Sequence, residues 1–387
     1  MLDSEEFQDS LIKWYGHHGR DLPWRKTNNP YHIWICEIIL QQTRVNQGMP
    51  YYYRIIERFP DIYSLAQAPL EEVLKLWQGL GYYSRARNLH NAAIYIVNEL
   101  DGRIPADYNQ LLKIKGIGKY TAGAIASMAF NLPYAAIDGN VYRVLSRLFN
   151  DFTPIDISIS YKYYETKIKK IFDSSHPSLF NQAIIELGAL ICLPAKPLCR
   201  NCPVKSHCEA FLNDTILQLP VKNKIKSIKN RYLYYFVFSD NQQIIFHRRT
   251  ENDIWKFLYD FPAIESDKEI EKPLEILKNT EIFENFLKKI DIKEITVSPP
   301  VKHLLTHQIL HILFIKVRLN RIPGNKLNKN TYSELDSIFQ EPNNTIVAEM
   351  LDNSSELYCA VQMKDIFNLP VPKVIASYLK KEFDINE

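Results

Sequence analysis

The chain has 387 residues, more than one ordinary domain, so two domains are the first expectation. Hydrophobic residues make up 46% and charged ones 24%, ample core material for a soluble globular protein. Net charge is +3, from 47 basic and 44 acidic residues, a total that neither requires nor excludes nucleic acid because local patches decide. No apolar run reaches the roughly 18–20 residues needed to span a bilayer, and the N-terminus carries acids where a signal peptide needs bases. A cytoplasmic location with no membrane partner is expected.

The first half reads as helices. Phe7, Leu11, Trp14 and Tyr15 have the spacing of one buried helix face. A second helix, entered through Asn29 and Pro30, runs through Trp34, Ile35, Ile38, Ile39 and Gln42. Pro69 opens a third, with Leu70, Val73, Leu74 and Trp77 as its stripe, ending at Gly79 and Gly81. Asp107 can cap a helix through Leu111 and Leu112, followed by a Lys115–Gly118 turn and a helix from Thr121 to Phe130. Further helices are predicted at about 141–149, 160–173 and 178–191.

Near Pro220 the character changes. Val221 to Arg231 holds five basic residues and no acid, and reads as an exposed linker or a phosphate contact. Strand-like runs follow in RYLYYFVFS, QQIIFHRR and HILFIKVRL, with a turn at Asp240-Asn241 and helices near 269–278, 281–289 and 373–382. This half is α+β. The domain plan is 1–214 helical, 215–230 a basic linker, 231–370 α+β and 371–387 a C-terminal helix or tail.

Cys192, Cys199, Cys202 and Cys208 are spaced C-x6-C-x2-C-x5-C. In a chain without export signals such clustering reads as a metal site. Zinc is one candidate, with His207 as an alternative ligand. A single C-x2-C flanked by longer gaps is not the paired arrangement of most structural zinc sites, and the spacing resembles that of the endonuclease III superfamily of DNA glycosylases. That resemblance implies one [4Fe–4S] cluster acting as a structural staple, with Lys196, Arg200 and Lys205 facing DNA. Cys36 and Cys359 read as ordinary buried thiols.

The segment LLKIKGIGKYTAGAIASMAF resembles the helix-hairpin-helix motif of the same superfamily. Gly116 and Gly118 allow the backbone to approach a phosphate, and the next helix offers N–H groups at a positive dipole end. Glu37, set among apolar residues on its helix in a stripe with Trp34 and Gln41, is a carboxyl whose protonated form is favoured, as a general acid requires. Asp138, before Gly139, suits a cleft-facing carboxylate.

The motifs CEIILQQTRV, GLGYYSRARNL, GIGKYTAGAI, AIDGNVYRV and NQAIIELGALIC, in that order, resemble those of the MutY family of adenine DNA glycosylases over essentially the whole chain. The resemblance implies that Glu37 protonates the adenine ring nitrogen and that Asp138 stabilises the cation left on the sugar. It implies that Tyr120 and Asn140 support Asp138, and that Arg25, Leu40 and Gln182 line the adenine pocket. Gln42 and Tyr82 would wedge the base stack. Related lyases place a lysine where this chain has Tyr120; Lys119, one residue earlier, faces elsewhere at about 100° per helical residue.

The expected activity is hydrolytic removal of adenine mispaired with 8-oxoguanine or guanine in duplex DNA, by a monomeric, monofunctional enzyme with at most weak lyase activity. Residues 231–370 resemble the family's C-terminal Nudix-like domain, related in fold to Nudix hydrolases, and lack the glutamate box with which such hydrolases bind magnesium, so no hydrolase chemistry is expected of them. The family's lesion loop Phe-Ser-His is matched by Leu305-Thr306-His307, losing the aromatic and keeping a hydroxyl at Thr306 and the imidazole of His307. Two other readings are a pyrimidine-lesion glycosylase with lyase activity, disfavoured by Tyr120, and a non-catalytic iron–sulfur mismatch-binding protein, disfavoured by the pair Glu37 and Asp138.

Overall fold

The computed structural model describes residues 3–223, 228–271, 291–322 and 358–383. The helices expected near 281–289, and near 269–278 beyond residue 271, lie outside them. The chain divides into two compact units, Met1–Ala68 with Ser84–Ile225, and Pro69–Tyr83 with Lys226–Glu387. The helix opened by Pro69 therefore groups with the C-terminal half. No helix among the described residues is long and apolar enough to cross a membrane.

The first unit is helical. α1 (Ser4–His18) is capped by Asp3, whose side chain accepts from the Glu5 and Glu6 amides. α2 (Pro30–Leu40) starts where Asn29 Oδ1 accepts from Tyr31 N at 2.9 Å and Pro30 presets the first turn. α3 (Val45–Arg58) and α4 (Ile62–Gln67) follow, then α6 (Ser84–Glu99), since α5 (Leu70–Leu76) belongs to the second unit. α7 (Tyr108–Leu111) is a single turn capped by Asp107 and leads through the hairpin into α8 (Lys119–Phe130). α9 (Gly139–Leu148), α10 (Ser160–Ile168), α11 (Pro177–Leu190) and α12 (Glu209–Leu212) complete it.

α1 packs on α11. Phe7, Leu11 and Trp14 share one core with Val141, Val144, Leu145, Tyr164, Phe180, Ala183, Ile184 and Leu187. Gln42 does not continue α2. The helix stops at Leu40, and Gln42 has the left-handed φ of 54°, which turns the chain away. α2 also lacks a single apolar stripe: nearly every residue from Tyr31 to Ile39 is buried, so the helix is sunk in the core.

The second unit is built on a mixed sheet. Its strands are β1 (Lys229–Ser239), β2 (Gln243–Arg248), β3 (Tyr259–Asp260), β4 (Ala263–Ser266), β5 (Ile292–Val297), β6 (Val301–Leu304), β7 (Gln308–Leu319) and β8 (Tyr358–Gln362). The main path is β3-β2-β1-β7-β5; β4 pairs with β1, β6 with β7 and β8 with β2. β1 and β7 run parallel, with Tyr235 opposite Phe314, and the remaining pairs are antiparallel. Both faces of β1 are covered: Tyr234, Phe236 and Phe238 join one core, while Tyr235 stacks on Phe314 from the other side. α13 (Lys373–Phe383) lays Tyr378 on Phe314 with ring centroids 3.9 Å apart, so this helix is part of the unit.

The linker expectation needs correction at its end. Lys229 to Arg231 already form strand, and Arg231 is buried in ion pairs with Asp253 (3.1 Å) and Glu265 (2.5 Å). Its neutralised charge is unavailable to a phosphate.

Candidate active site

Glu37 lies on the sunken helix α2 with only 6% of its surface exposed. Burial pushes its carboxyl from 4.5 up to about 7; hydrogen bonds from Tyr120 and Cys36 pull it back, while the charge of Asp138 adds to the rise. Such a group is about half protonated at neutral pH, so it can give a proton and take one back. The carbonyl end of α2 is closed by Arg85, whose Nη1 donates to Ile38 O (3.0 Å), Ile39 O (2.7 Å) and Gln41 O (2.5 Å). Cys36, read from sequence as an ordinary buried thiol, contacts Glu37 Oε1 at 3.8 Å.

Tyr120 stands in the first turn of α8 and donates to Glu37. Burial and the two nearby carboxyls hold its phenol well above the ordinary value, so it remains a neutral donor. Lys119 points elsewhere, with Nζ 4.4 Å from the centre of the Tyr161 ring.

Asp138 is the N-cap of α9. Its Oδ1 accepts from Val141 N and its Oδ2 from Asn140 Nδ2, both at 2.7 Å. Burial raises its carboxyl above the usual range, opposed by those hydrogen bonds and by Arg143. Arg143 donates to Asn140 Oδ1 (3.0 Å), Gly188 O (2.8 Å) and Cys192 O (2.7 Å).

Two glycines allow the helices to close on this centre. A Cβ on Gly123 would lie 2.5 Å from Ala135 O, so α8 presses against the backbone of the segment leading to Asp138. A Cβ on Gly188 would lie 2.7 Å from Asn140 Cβ. Asn181, fully buried, ties the same region: Nδ2 donates to Ser127 Oγ and Tyr134 O, both at 2.8 Å, and Oδ1 accepts from Ala136 N at 3.0 Å.

A cleft of about 360 Å³ has Arg25, Gln182, Tyr15, His176 and Ser178 among its walls. Tyr15 Oη donates to Gln182 Oε1 at 2.9 Å, and the Arg25 guanidinium lies 5.4 Å from the centre of the Tyr15 ring. Arg25 Nη2 and Arg20 Nη2 both reach Glu186 Oε2 at 2.7 Å. Burial would raise Glu186, but the hydrogen bonds from Arg20 and Arg25 bring it down to about 2. Leu40, one turn beyond Glu37, is not among the residues lining this cleft; it packs near Gly48 of α3.

Glu186, Arg20 and Asn181 are absent from the site residues expected from sequence, and Tyr15, expected as part of a buried helix face, lines the cleft instead. Their one signal was available: Asn181 and Glu186 are polar residues at buried positions of an otherwise apolar helix, NQAIIELGAL.

In the hairpin, Gly116 has φ 93° and lies so close to α6 that a Cβ would meet Asn88 Cβ at 2.9 Å, whereas Gly118 faces open space at the start of α8. Gln42 is exposed. In the second unit, the exposed Thr306 and His307 form the β6–β7 turn, closed by Leu305 N donating to Gln308 O at 2.9 Å. Tyr82 belongs to that unit too, and its hydroxyl lies 2.6 Å from Thr306 Oγ1.

Cys192 follows α11, Cys199 and Cys202 flank a 3₁₀ turn, and Cys208 precedes α12. Three of them, Cys192, Cys202 and Cys208, pack against the α1–α9–α11 core. All four are free. Burial pushes Cys202 up to about 12 and Cys208 up to about 11, and the neighbouring thiols push the same way. Four clustered cysteines are a donor set from which a cationic centre would displace the thiol protons on binding. Among the described residues, no three His, Cys, Asp or Glu side chains converge tightly enough to hold a single metal ion. Arg147, 1% exposed, braces the loop by donating to Leu193 O (2.8 Å), Pro194 O (3.0 Å), Ile216 O (3.0 Å) and Cys192 Sγ (3.4 Å). His207 turns towards α1, 3.7 Å from Glu6 and edge-on to Phe7.

A family model described as HhH-GPD superfamily base excision DNA repair protein matches residues 35–174. The chain is 39% identical over 322 residues to the adenine DNA glycosylase of Buchnera aphidicola subsp. Baizongia pistaciae (strain Bp), covering 82% of this chain and 87% of that protein. It is 42% identical over 214 residues to the Homo sapiens adenine DNA glycosylase, covering 53% of this chain and 39% of that one. Among solved structures, a thermostable thymine-DNA glycosylase superposes with a TM-score of 0.51 at 26% identity, over 54% of this chain and 97% of its own.

Proposed function

From the premise that this chain belongs to the adenine DNA glycosylase family, we propose that it hydrolyses the N-glycosidic bond of adenine mispaired with 8-oxoguanine or guanine in duplex DNA, as a step of base excision repair. The observation that carries the reading is the triad Glu37, Tyr120 and Asp138: a carboxyl raised to about 7, a neutral phenol donating to it, and a second carboxyl within its electrostatic reach.

In this reading Glu37 gives its proton to a ring nitrogen of the extruded adenine, so the base leaves neutral. Asp138, fixed by Val141 N and Asn140, faces the positive charge developing on the sugar. Water then adds its hydroxide to the sugar carbon and its proton returns to a carboxylate, leaving free adenine and an abasic sugar. Arg25 and Gln182, with Glu186 behind Arg25, supply polar contacts for the base edge, and Leu40, which lies outside the cleft they line, is left out of the pocket.

Tyr120 supports a monofunctional enzyme, since a phenol cannot form the imine a lyase needs, and Lys119 is held over Tyr161. Gly116 and Gly118 would seat a DNA phosphate, Gln42 and Tyr82 would fill the stack, and Thr306 and His307, in a Nudix-like second domain, would meet the opposing purine. Flipping costs least for a mispaired base. Cys192, Cys199, Cys202 and Cys208 would hold a [4Fe–4S] cluster, which when bound supplies a closed four-thiolate staple. A monomer acting in the cytoplasm completes the reading.

Single-turnover release of adenine from 8-oxoguanine·adenine and guanine·adenine duplexes, with and without alkali, tests it. Adenine release with strand breaks only after alkali is expected. Breaks without alkali would remove the monofunctional assignment, and no adenine release from either duplex would remove the function.

A further inference from the structure

Tyr82 and Thr306 lie 224 positions apart in the chain, yet their oxygens meet at 2.6 Å inside one structural unit. Residues 69–83 interrupt the helical unit in sequence but group with the C-terminal sheet. Specific contacts fasten this strap. Glu71 Oε1 accepts from Tyr259 Oη at 2.8 Å and pairs with Arg248 Nη2 at 3.5 Å. Lys75 Nζ donates to Phe367 O, to Leu369 O (3.1 Å) and to Gln78 Oε1 (3.2 Å). Tyr83 Oη donates to Val371 O at 3.3 Å.

At its end the strap makes a tight turn. Gly79 and Gly81 have φ of 95° and 79°, and Tyr82, a bulky residue, has φ 48°. A non-glycine residue keeps such a backbone only where its surroundings enforce it. The fully buried Trp77 does so by donating Nε1 to Gly81 O at 3.0 Å. Tyr82 remains 38% exposed. A rigid, solvent-facing aromatic plate is suited to stack on a nucleobase.

We propose that the strap Pro69–Tyr83 is the means by which the C-terminal sheet presents Tyr82 and Thr306 to duplex DNA as one element, with Glu71 and Lys75 as its positioning residues. The inference rests on the function proposed above. Neither positioning residue touches DNA; each acts through the placement of the Tyr82 ring against a stacked base beside the mispair.

The test uses the full-length chain as wild type, Lys75→Met, Glu71→Gln, Tyr82→Leu and the Tyr82→Leu/Lys75→Met pair. The duplex carries a cleavage-resistant adenine analogue and a fluorescent base next to the mispair. Lys75→Met and Glu71→Gln are expected to raise Kd about tenfold, the size of one lost base–aromatic stack, and to abolish the fluorescence change as Tyr82→Leu does. The single-turnover rate at saturating enzyme falls less than the affinity. Adding Lys75→Met to Tyr82→Leu brings little further loss, because the stack is already gone. Full additivity in the pair, or a fluorescence change retained in Lys75→Met and Glu71→Gln, overturns the proposal; if Lys75→Met does not fold, Glu71→Gln alone and combined with Tyr82→Leu decides. A wild type that releases no adenine sinks the proposed function, whereas full additivity with adenine release intact sinks only the strap.

Discussion

Asn140 donates its amide to Asp138 Oδ2 at 2.7 Å, and the other end of that amide is held by Arg143, which also grips Cys192 O. The carboxylate assigned to the sugar cation is thus oriented by a side chain anchored on the first residue of the cysteine loop.

Replacing Asn140 with Leu removes one donor from a carboxyl that burial already raises. A charge-assisted hydrogen bond is worth about 1.5–3 kcal/mol, so single-turnover adenine release should fall about 10- to 150-fold. Less ionised, Asp138 should also move the acidic limb of the pH–rate profile to higher pH. An unshifted limb would show that Asn140 does not act through Asp138.

Glu37 gives two pH dependences of opposite use. Adenine release needs its protonated form, so the rate should decline as pH rises through about 7. Glu37→Gln should lose about 10²–10⁴ in rate, the usual size of general-acid help. For stability, a carboxyl raised from 4.5 to about 7 favours the folded state fully below pH 4.5 and ceases to do so as pH rises through about 7. The shift corresponds to roughly 3 kcal/mol. Glu37→Gln should therefore gain on the wild type in urea unfolding at pH 8 compared with pH 5. Equal pH dependence in the two proteins would contradict the burial argument.

Glu186 works in the other direction. Its fully buried side chain is held at about 2 by Arg20 and Arg25, so its contribution is complete above pH 4.5 and lost as pH falls through about 2. Glu186→Gln leaves two guanidinium groups without their anion and should cost about 3–5 kcal/mol at pH 7. The gap to the wild type should narrow only under acidic conditions, read from denaturant midpoints. A gap constant with pH would mean that packing, not charge, sets the loss.

Two glycines of the hairpin region should separate stability from DNA affinity. Gly123→Ala drives a Cβ against the backbone oxygen of Ala135 and should destabilise by about 1–3 kcal/mol. Gly118→Ala has open space around it and should stay within about 0.5–1 kcal/mol in stability. Its added methyl would instead obstruct a phosphate at the start of α8, visible as weaker duplex binding at low salt. Unimpaired binding by a folded Gly118→Ala protein would argue against phosphate contact there.

The helical elements were legible because capping and punctuation are local. Asn29 with Pro30, Asp107 and Gly118 each mark a terminus that the structure keeps. Glu37 could be singled out as a carboxyl among apolar neighbours. Its elevated pKa was not readable in full, because the phenol that meets it and the second carboxyl arrive from other helices. Glu186 was passed over for the same reason: its partners Arg20 and Arg25 lie more than 160 positions away. Arg231 was misread in the opposite sense, since local composition placed it in a tether while Asp253 and Glu265 draw it inside.

The packing of α1 on α11 carries a consequence for biosynthesis. Phe7, Leu11 and Trp14 leave the ribosome early, but Phe180, Ile184 and Leu187, which cover them, are made some 170 residues later. Until then the nascent chain holds an uncovered aromatic ridge, prone to aggregation unless a chaperone shields it. The long-range pairing makes closure of the helical unit a late event, and a chain stopped before α11 would have neither its base cleft nor a finished core.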